Sequence, residues 1–137
     1  MEFRVLAVGD VVGGPGLERI RRSLRWLKRK TNADFVVVNG ENAAVVGITP
    51  DQADQILDAG ADVITMGNHT WSKREIVPYM DECPQILRPM NYAPQVPGRG
   101  WGIYETKVGD VAVIDLIGRV SMDYGPDNPF TVVEKAL

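Results

Sequence analysis

The first 70 residues repeat one pattern three times: a short apolar run that stops abruptly at glycine and polar residues. Residues 3–8 end at Gly9-Asp10-Val11-Val12-Gly13-Gly14, residues 34–38 at Asn39-Gly40-Glu41-Asn42, and residues 62–66 at Gly67-Asn68-His69. Runs this short and continuously apolar read as strands buried on both faces. Helical patterns separate them. One opens near Pro15, where a missing N–H costs nothing, and repeats Leu17, Ile20, Leu24 and Leu27 on one face. Another opens at Thr49-Pro50, an N-cap and first-turn signal, and stops before Gly60. Strands alternating with helices predict a parallel sheet, which brings all three carboxyl ends to one edge, the edge where open α/β sheets bind ligands.

Beyond Cys83 the texture changes. Residues 88–102 carry Pro89, Pro94, Pro97, Gly98, Gly100 and Gly102, and predict a long loop of the kind that carries function. Residues 104–108 and 111–117 flank Gly109-Asp110 and predict an antiparallel hairpin turning on those two residues. Residues 121–128 form a second loop, and Pro129 begins a final helix.

With 137 residues, 24% of them charged and 45% hydrophobic, the chain reads as one globular domain, residues 1–137. No apolar run approaches the roughly 20 residues of a spanning helix, and the N-terminus shows no positively charged leader. The single cysteine, Cys83, excludes an internal disulfide and a thiolate zinc site and fits a reducing, cytoplasmic setting. Charge is unevenly spread: residues 18–30 hold seven of the fifteen basic residues and one acid, leaving eight bases against seventeen acids elsewhere.

The three strand ends deliver Asp10, Glu41 with Asn42, and Asn68 with His69. Asx residues also serve as turn and cap residues, and it is their arrival at successive strand ends that points to a shared site. Two carboxylates and two carboxamides suit a hard divalent cation such as Mn²⁺, Mg²⁺ or Fe²⁺. Two such ions about 4 Å apart hold a hydroxide nucleophile and neutralise a phosphoryl group, so phosphate ester hydrolysis is the expected chemistry. His69, the only histidine, is then placed to donate a proton to the leaving oxygen.

These segments, together with Pro15-Gly16, Ala43-Ala44, Gly47-Ile48-Thr49-Pro50, Thr70-Trp71 and Arg88-Pro89-Met90-Asn91-Tyr92, resemble the YmdB-like calcineurin-type metallophosphoesterases in order and spacing through essentially the whole chain. The resemblance implies the N-terminal half of a four-layer α/β/β/α sandwich, parallel βαβ units followed by an antiparallel hairpin. It implies two divalent metal ions and phosphodiesterase activity that includes 2′,3′-cyclic nucleotides. Carried over position by position, Asp10, Glu41, Asn42 and Asn68 look like metal ligands, with Glu41 as the bridge, and His69 looks like the catalytic histidine. Family members are about twice as long, and their second half adds histidine ligands, so the chain is expected to be incomplete at its C-terminus. Exposed apolar surface and homo-oligomeric association are expected with it.

Other readings are weaker. Gly13-Gly14-Pro15-Gly16 matches neither a dinucleotide fingerprint nor a P-loop, because Arg19 stands where a third glycine is needed and no Gly-Lys-Ser/Thr follows. The basic segment 18–30 reads first as a solvated helix face with cations at its C-terminal end, and second as an RNA-docking surface. A catalytically inactive half-domain acting in protein or RNA interaction is therefore the alternative function. Trp71 and Trp101 read either as substrate-stacking or as packing residues. Cys83 and Met66 read as core residues.

Overall fold

The computed structural model describes residues 2–123 and 125–137; Tyr124, within the second predicted loop, lies outside the described residues. Four strands, β1 (Val5–Val8), β2 (Phe35–Asn39), β3 (Val63–Thr65) and β4 (Ile86–Leu87), form a parallel sheet in sequence order. Helices α1 (Gly13–Thr31), α2 (Pro50–Asp58) and α3 (Ile76–Glu82) connect them. The parallel sheet and the helix connections are those predicted. α3 and β4 carry no sequence signal: a two-residue strand has no period, and α3 spans only seven residues with Pro78 inside.

Alternation along the strands sorts side chains into two layers. Val36, Val38, Ile64 and Ile86 face the helices, where they meet Leu17, Ile20 and Leu24 of α1 and Ala53 and Ile56 of α2. Phe35, Val63 and Leu87 face the other way and pack against Val37, Tyr104, Val111 and Val113. The last three belong to the hairpin of β5 (Trp101–Thr106) and β6 (Gly109–Ile114), which lies on the sheet's second face with Tyr104 tilted against Phe35 at 5.9 Å between centroids. The described layers are therefore helix, sheet and sheet. Helix α4 (Pro129–Ala136), capped by Asn128 accepting from Phe130 N, buries no residue.

Local chemistry explains the boundaries. Thr49 and Gln52 form a reciprocal capping box at the start of α2, as its Thr-Pro signal requires. α1 begins at Gly13 without a side-chain cap and ends where Asn32 adopts the left-handed conformation at φ 51°. The hairpin turn departs from expectation: Thr106 pairs with Gly109, so Lys107-Val108 form the turn and Gly109-Asp110 belong to β6. The Thr106 hydroxyl decides this by donating to Gly109 O and accepting from Val108 N. In that register Tyr104, Val111 and Val113 all face inward.

Candidate active site

Parallel pairing alone would only align the strand ends; backbone hydrogen bonds then lace them together. Val11 N donates to Asn39 O at 3.0 Å, Gly40 N to Thr65 O at 3.0 Å, and Gly13 N to Asn42 O at 2.9 Å. The turns after β1, β2 and β3 thus form one continuous rim. Asp10 sits in it at φ +35°, a backbone region that aspartate tolerates better than most residues.

On that rim, side chains of residues far apart in sequence join end to end. Asn42 Nδ2 donates to Asp10 Oδ1 at 2.8 Å, and Asn42 Oδ1 lies 2.8 Å from His69 Nδ1. A carboxylate oxygen only accepts, so the amide nitrogen of Asn42 must face Asp10 and its carbonyl must face His69. The His69 proton is then on Nδ1, and Nε2 is left for chemistry. Glu41 completes the group: its Oε2 lies 3.5 Å from the His69 backbone N–H. Gly67 leaves room for this placement: a Cβ at that position would stand 2.0 Å from Glu41 Oε2, so any side chain there would push the Glu41 carboxylate aside.

Asp10, Glu41, Asn42 and His69 are therefore brought together. Asn68 occupies the same turn, half-buried, and among the described residues its side chain hydrogen-bonds none of the other four. The donors are carboxylate, carboxamide and imidazole, a chemistry that fits a hard divalent cation. Among the described residues no three His, Cys, Asp or Glu side chains form a group able to hold a metal ion. The carboxamides, and ligands from outside the set, would have to complete the shell.

One buried acid escaped the sequence reasoning. Asp115, directly after β6, is 8% exposed, and its Oδ2 accepts from Met66 N at 3.0 Å, one residue before Gly67. Burial pushes its carboxyl up to about 8; the Glu41 charge adds to this, while backbone hydrogen bonds from Met66 and Leu116 and the Arg88 charge oppose it. The available signal was a lone acid within an otherwise apolar run. Arg88, 5% exposed, is held by Pro89 O at 2.9 Å, and burial lowers its guanidinium from the usual range.

The other candidates fall into different environments. Trp71 donates Nε1–H to Pro97 O at 3.2 Å and stands edge-on to Tyr92 at 5.3 Å, which makes it the anchor of the 88–100 loop. Trp101 lies on the outward face of β5 and is exposed. Cys83 and Met66 are buried, as expected. Much of the basic charge of α1 is paired: Arg21 and Arg22 with Glu18, Lys28 with Asp62 at 2.9 Å, and Lys30 over the Trp26 ring at 4.6 Å.

The family model described as YmdB-like protein matches residues 6–137. The chain belongs to the YmdB-like family. A Bacillus subtilis relative, a 2′,3′-cyclic-nucleotide 2′-phosphodiesterase, is 38% identical over 136 residues, covering 98% of this chain and 51% of the relative. A putative phosphatase/phosphodiesterase of Mycoplasma pneumoniae is 30% identical, over 98% of this chain and 50% of its own length. Among solved structures, a hypothetical protein of Thermus thermophilus superposes with a TM-score of 0.88 at 32% identity, covering 98% of this chain and 52% of that one. A novel phosphatase of Mycoplasma pneumoniae gives 0.88 at 28% identity, over 98% and 50%. The chain thus spans about half the length of the relatives it matches. Among the described residues, no helix is long and apolar enough to cross a membrane.

Proposed function

We propose that this chain carries the metal-binding and proton-donating rim of a phosphodiesterase of the YmdB-like type, acting on phosphodiesters such as 2′,3′-cyclic nucleotides. The observation that carries the reading is the unbroken chain from Asp10 through Asn42 to His69, with Glu41 beside it, on the carboxyl edge of a parallel sheet. Asp10, Glu41, Asn42 and Asn68 would hold two divalent ions (Mn, Fe or Mg), with Glu41 between them. Bound there, such ions neutralise phosphoryl charge and supply a nucleophile at neutral pH. Asn42 orients His69 so that a second ring proton goes on at Nε2, the atom free to pass it to the leaving oxygen. The fourth layer of the sandwich would cover the outer face of β5 and β6, where Trp101 and Ile103 stand exposed. A reducing cytoplasm suits the single, buried Cys83.

The test is turnover of bis-p-nitrophenyl phosphate or a 2′,3′-cyclic nucleotide with added Mn²⁺ or Fe²⁺, in a polypeptide of the relatives' full length. Glu41→Gln should abolish it. His69→Ala should lower the rate by about 10²-fold or more while metal content stays nearly unchanged. No turnover at full length would overturn the enzyme reading, and metal loss in His69→Ala would overturn the role given to that ring.

A second reading, a non-catalytic domain for RNA or protein interaction, is favoured by the seven basic residues of segment 18–30 and by exposed Phe130, Val120 and Trp101, surfaces that also suit self-association. RNA affinity that falls with salt and with Arg21→Ala plus Arg25→Ala would support it.

A further inference from the structure

Asp115 stands apart from the donor set, yet it reaches the same turn from the opposite sheet. Its backbone N donates to Gly100 O at 3.0 Å, its carbonyl accepts from Met90 N at 2.7 Å, and its carboxyl accepts from Met66 N at 3.0 Å. One residue therefore joins the hairpin to the 88–100 loop and to the end of β3. The Met66 N–H is shared with Leu87 O at 2.9 Å, so the strand ladder is complete without the carboxyl. The carboxyl also takes a backbone hydrogen bond from Leu116, its own neighbour, and burial of the acid outweighs both bonds. The charged groups facing it do not form an ion pair with it either: Glu41 is of like sign, and Arg88 is turned to the carbonyls of Pro89 and Met90 with its Nε unpartnered. Fold stability does not explain an acid at this place.

What the carboxyl does reach is the peptide that starts the catalytic turn. Met66 leads into Gly67, whose carbonyl accepts from both Thr70 N and the fully buried Thr70 hydroxyl, and this closes the turn that presents His69 to Asn42. We propose that Asp115 is a positioning residue for His69, fixing from the hairpin side the turn whose ring Asn42 fixes from the other. Its meaning for catalysis rests on the phosphodiesterase reading; the positional claim does not.

His69 is the only histidine, so its ring nitrogens are observable by ¹⁵N NMR without ambiguity. The experiment uses the metal-free chain at about pH 8.5, well above the ordinary histidine range. The wild-type ring is expected in the Nδ1–H form. Asp115→Asn, which keeps a carbonyl acceptor for Met66, should retain that form. Asp115→Leu should shift the ring toward the ordinary Nε2–H form and speed Met66 amide exchange at least tenfold, with unchanged far-UV circular dichroism. An unmoved ring in folded Asp115→Leu, loss of Nδ1–H in Asp115→Asn, or a wild-type ring without Nδ1–H overturns the proposal. If Asp115→Leu does not fold, Asp115→Ala is read the same way. If neither folds while Asp115→Asn does, Asp115 belongs to the fold alone and the proposal is equally overturned. No metal or turnover enters this readout, so it fails separately from the hydrolysis test.

Discussion

The two sheets are built from similar apolar strands and meet different fates. β2 alternates only between buried and half-buried side chains, because helices cover one face and the hairpin covers the other. β5 alternates between exposed and half-buried, because only its inner face has a partner. Ile64 and Ile103 are the same residue in apolar strands of the two sheets, one parallel and one antiparallel, yet one is fully buried and the other 61% exposed. β1 shares the hairpin's condition: Leu6 and Val8 pack on the helices, while Val5 is exposed where the two-stranded hairpin does not extend. An apolar strand pattern thus states that a layer is wanted, and the number of strands in the facing sheet decides whether it is met.

The largest test of that contrast is Ile64→Ala, which opens a cavity between helices and sheet and should cost about 4 kcal/mol in urea unfolding. A loss below about 1 kcal/mol would show that the covered sheet packs no better than the hairpin.

Next is Asp115, where the two sheets meet. Its folded value, about 8, lies above the ordinary 3.8, so folding takes up a proton and stability falls as pH rises from about 4 to about 8. Between pH 5 and pH 7 the decline should reach about 3 kcal/mol, at ~1.4 kcal/mol per unit, and Asp115→Asn should flatten it. A wild-type profile already flat over that window would place the carboxyl in contact with water.

Smaller is Val45, a β-branched residue at φ +70° on the loop beside the site. Val45→Gly relieves that strain and should raise stability by about 1 kcal/mol, against glycine's usual cost in an ordered segment. Thermal unfolding at one fixed pH measures it. Smallest is Ile103→Ser: with its face uncovered it should change stability by less than about 0.5 kcal/mol while reducing concentration-dependent association in sedimentation.

Much of the site was legible because its residues lie where apolar runs end. A parallel sheet forces those ends to one edge, so Asp10, Glu41, Asn42, Asn68 and His69 were visible as a group before their contacts were. The hydrogen-bond order among them was not, since it depends on backbone ties such as Gly13 N to Asn42 O. The turn at Lys107-Val108 was misplaced because the Gly-Asp signal ignores the Thr106 hydroxyl, which closes the tighter register. Asp115 went unread because local pattern weighs an acid by its neighbours in sequence, and this one is defined by Met66, 49 residues away.

Sequence by itself settled the period of each long element, the caps of α2, and which chemical groups stand at the strand ends, for these follow from short-range sterics and side-chain type. Only the tertiary structure decided the Asn42 orientation, and with it the His69 tautomer, the close approach of the Glu41 carboxylate to Gly67, and the burial of Asp115. Each of these depends on atoms brought within a few ångströms by packing, and distances between remote segments are not encoded in any local run of residues.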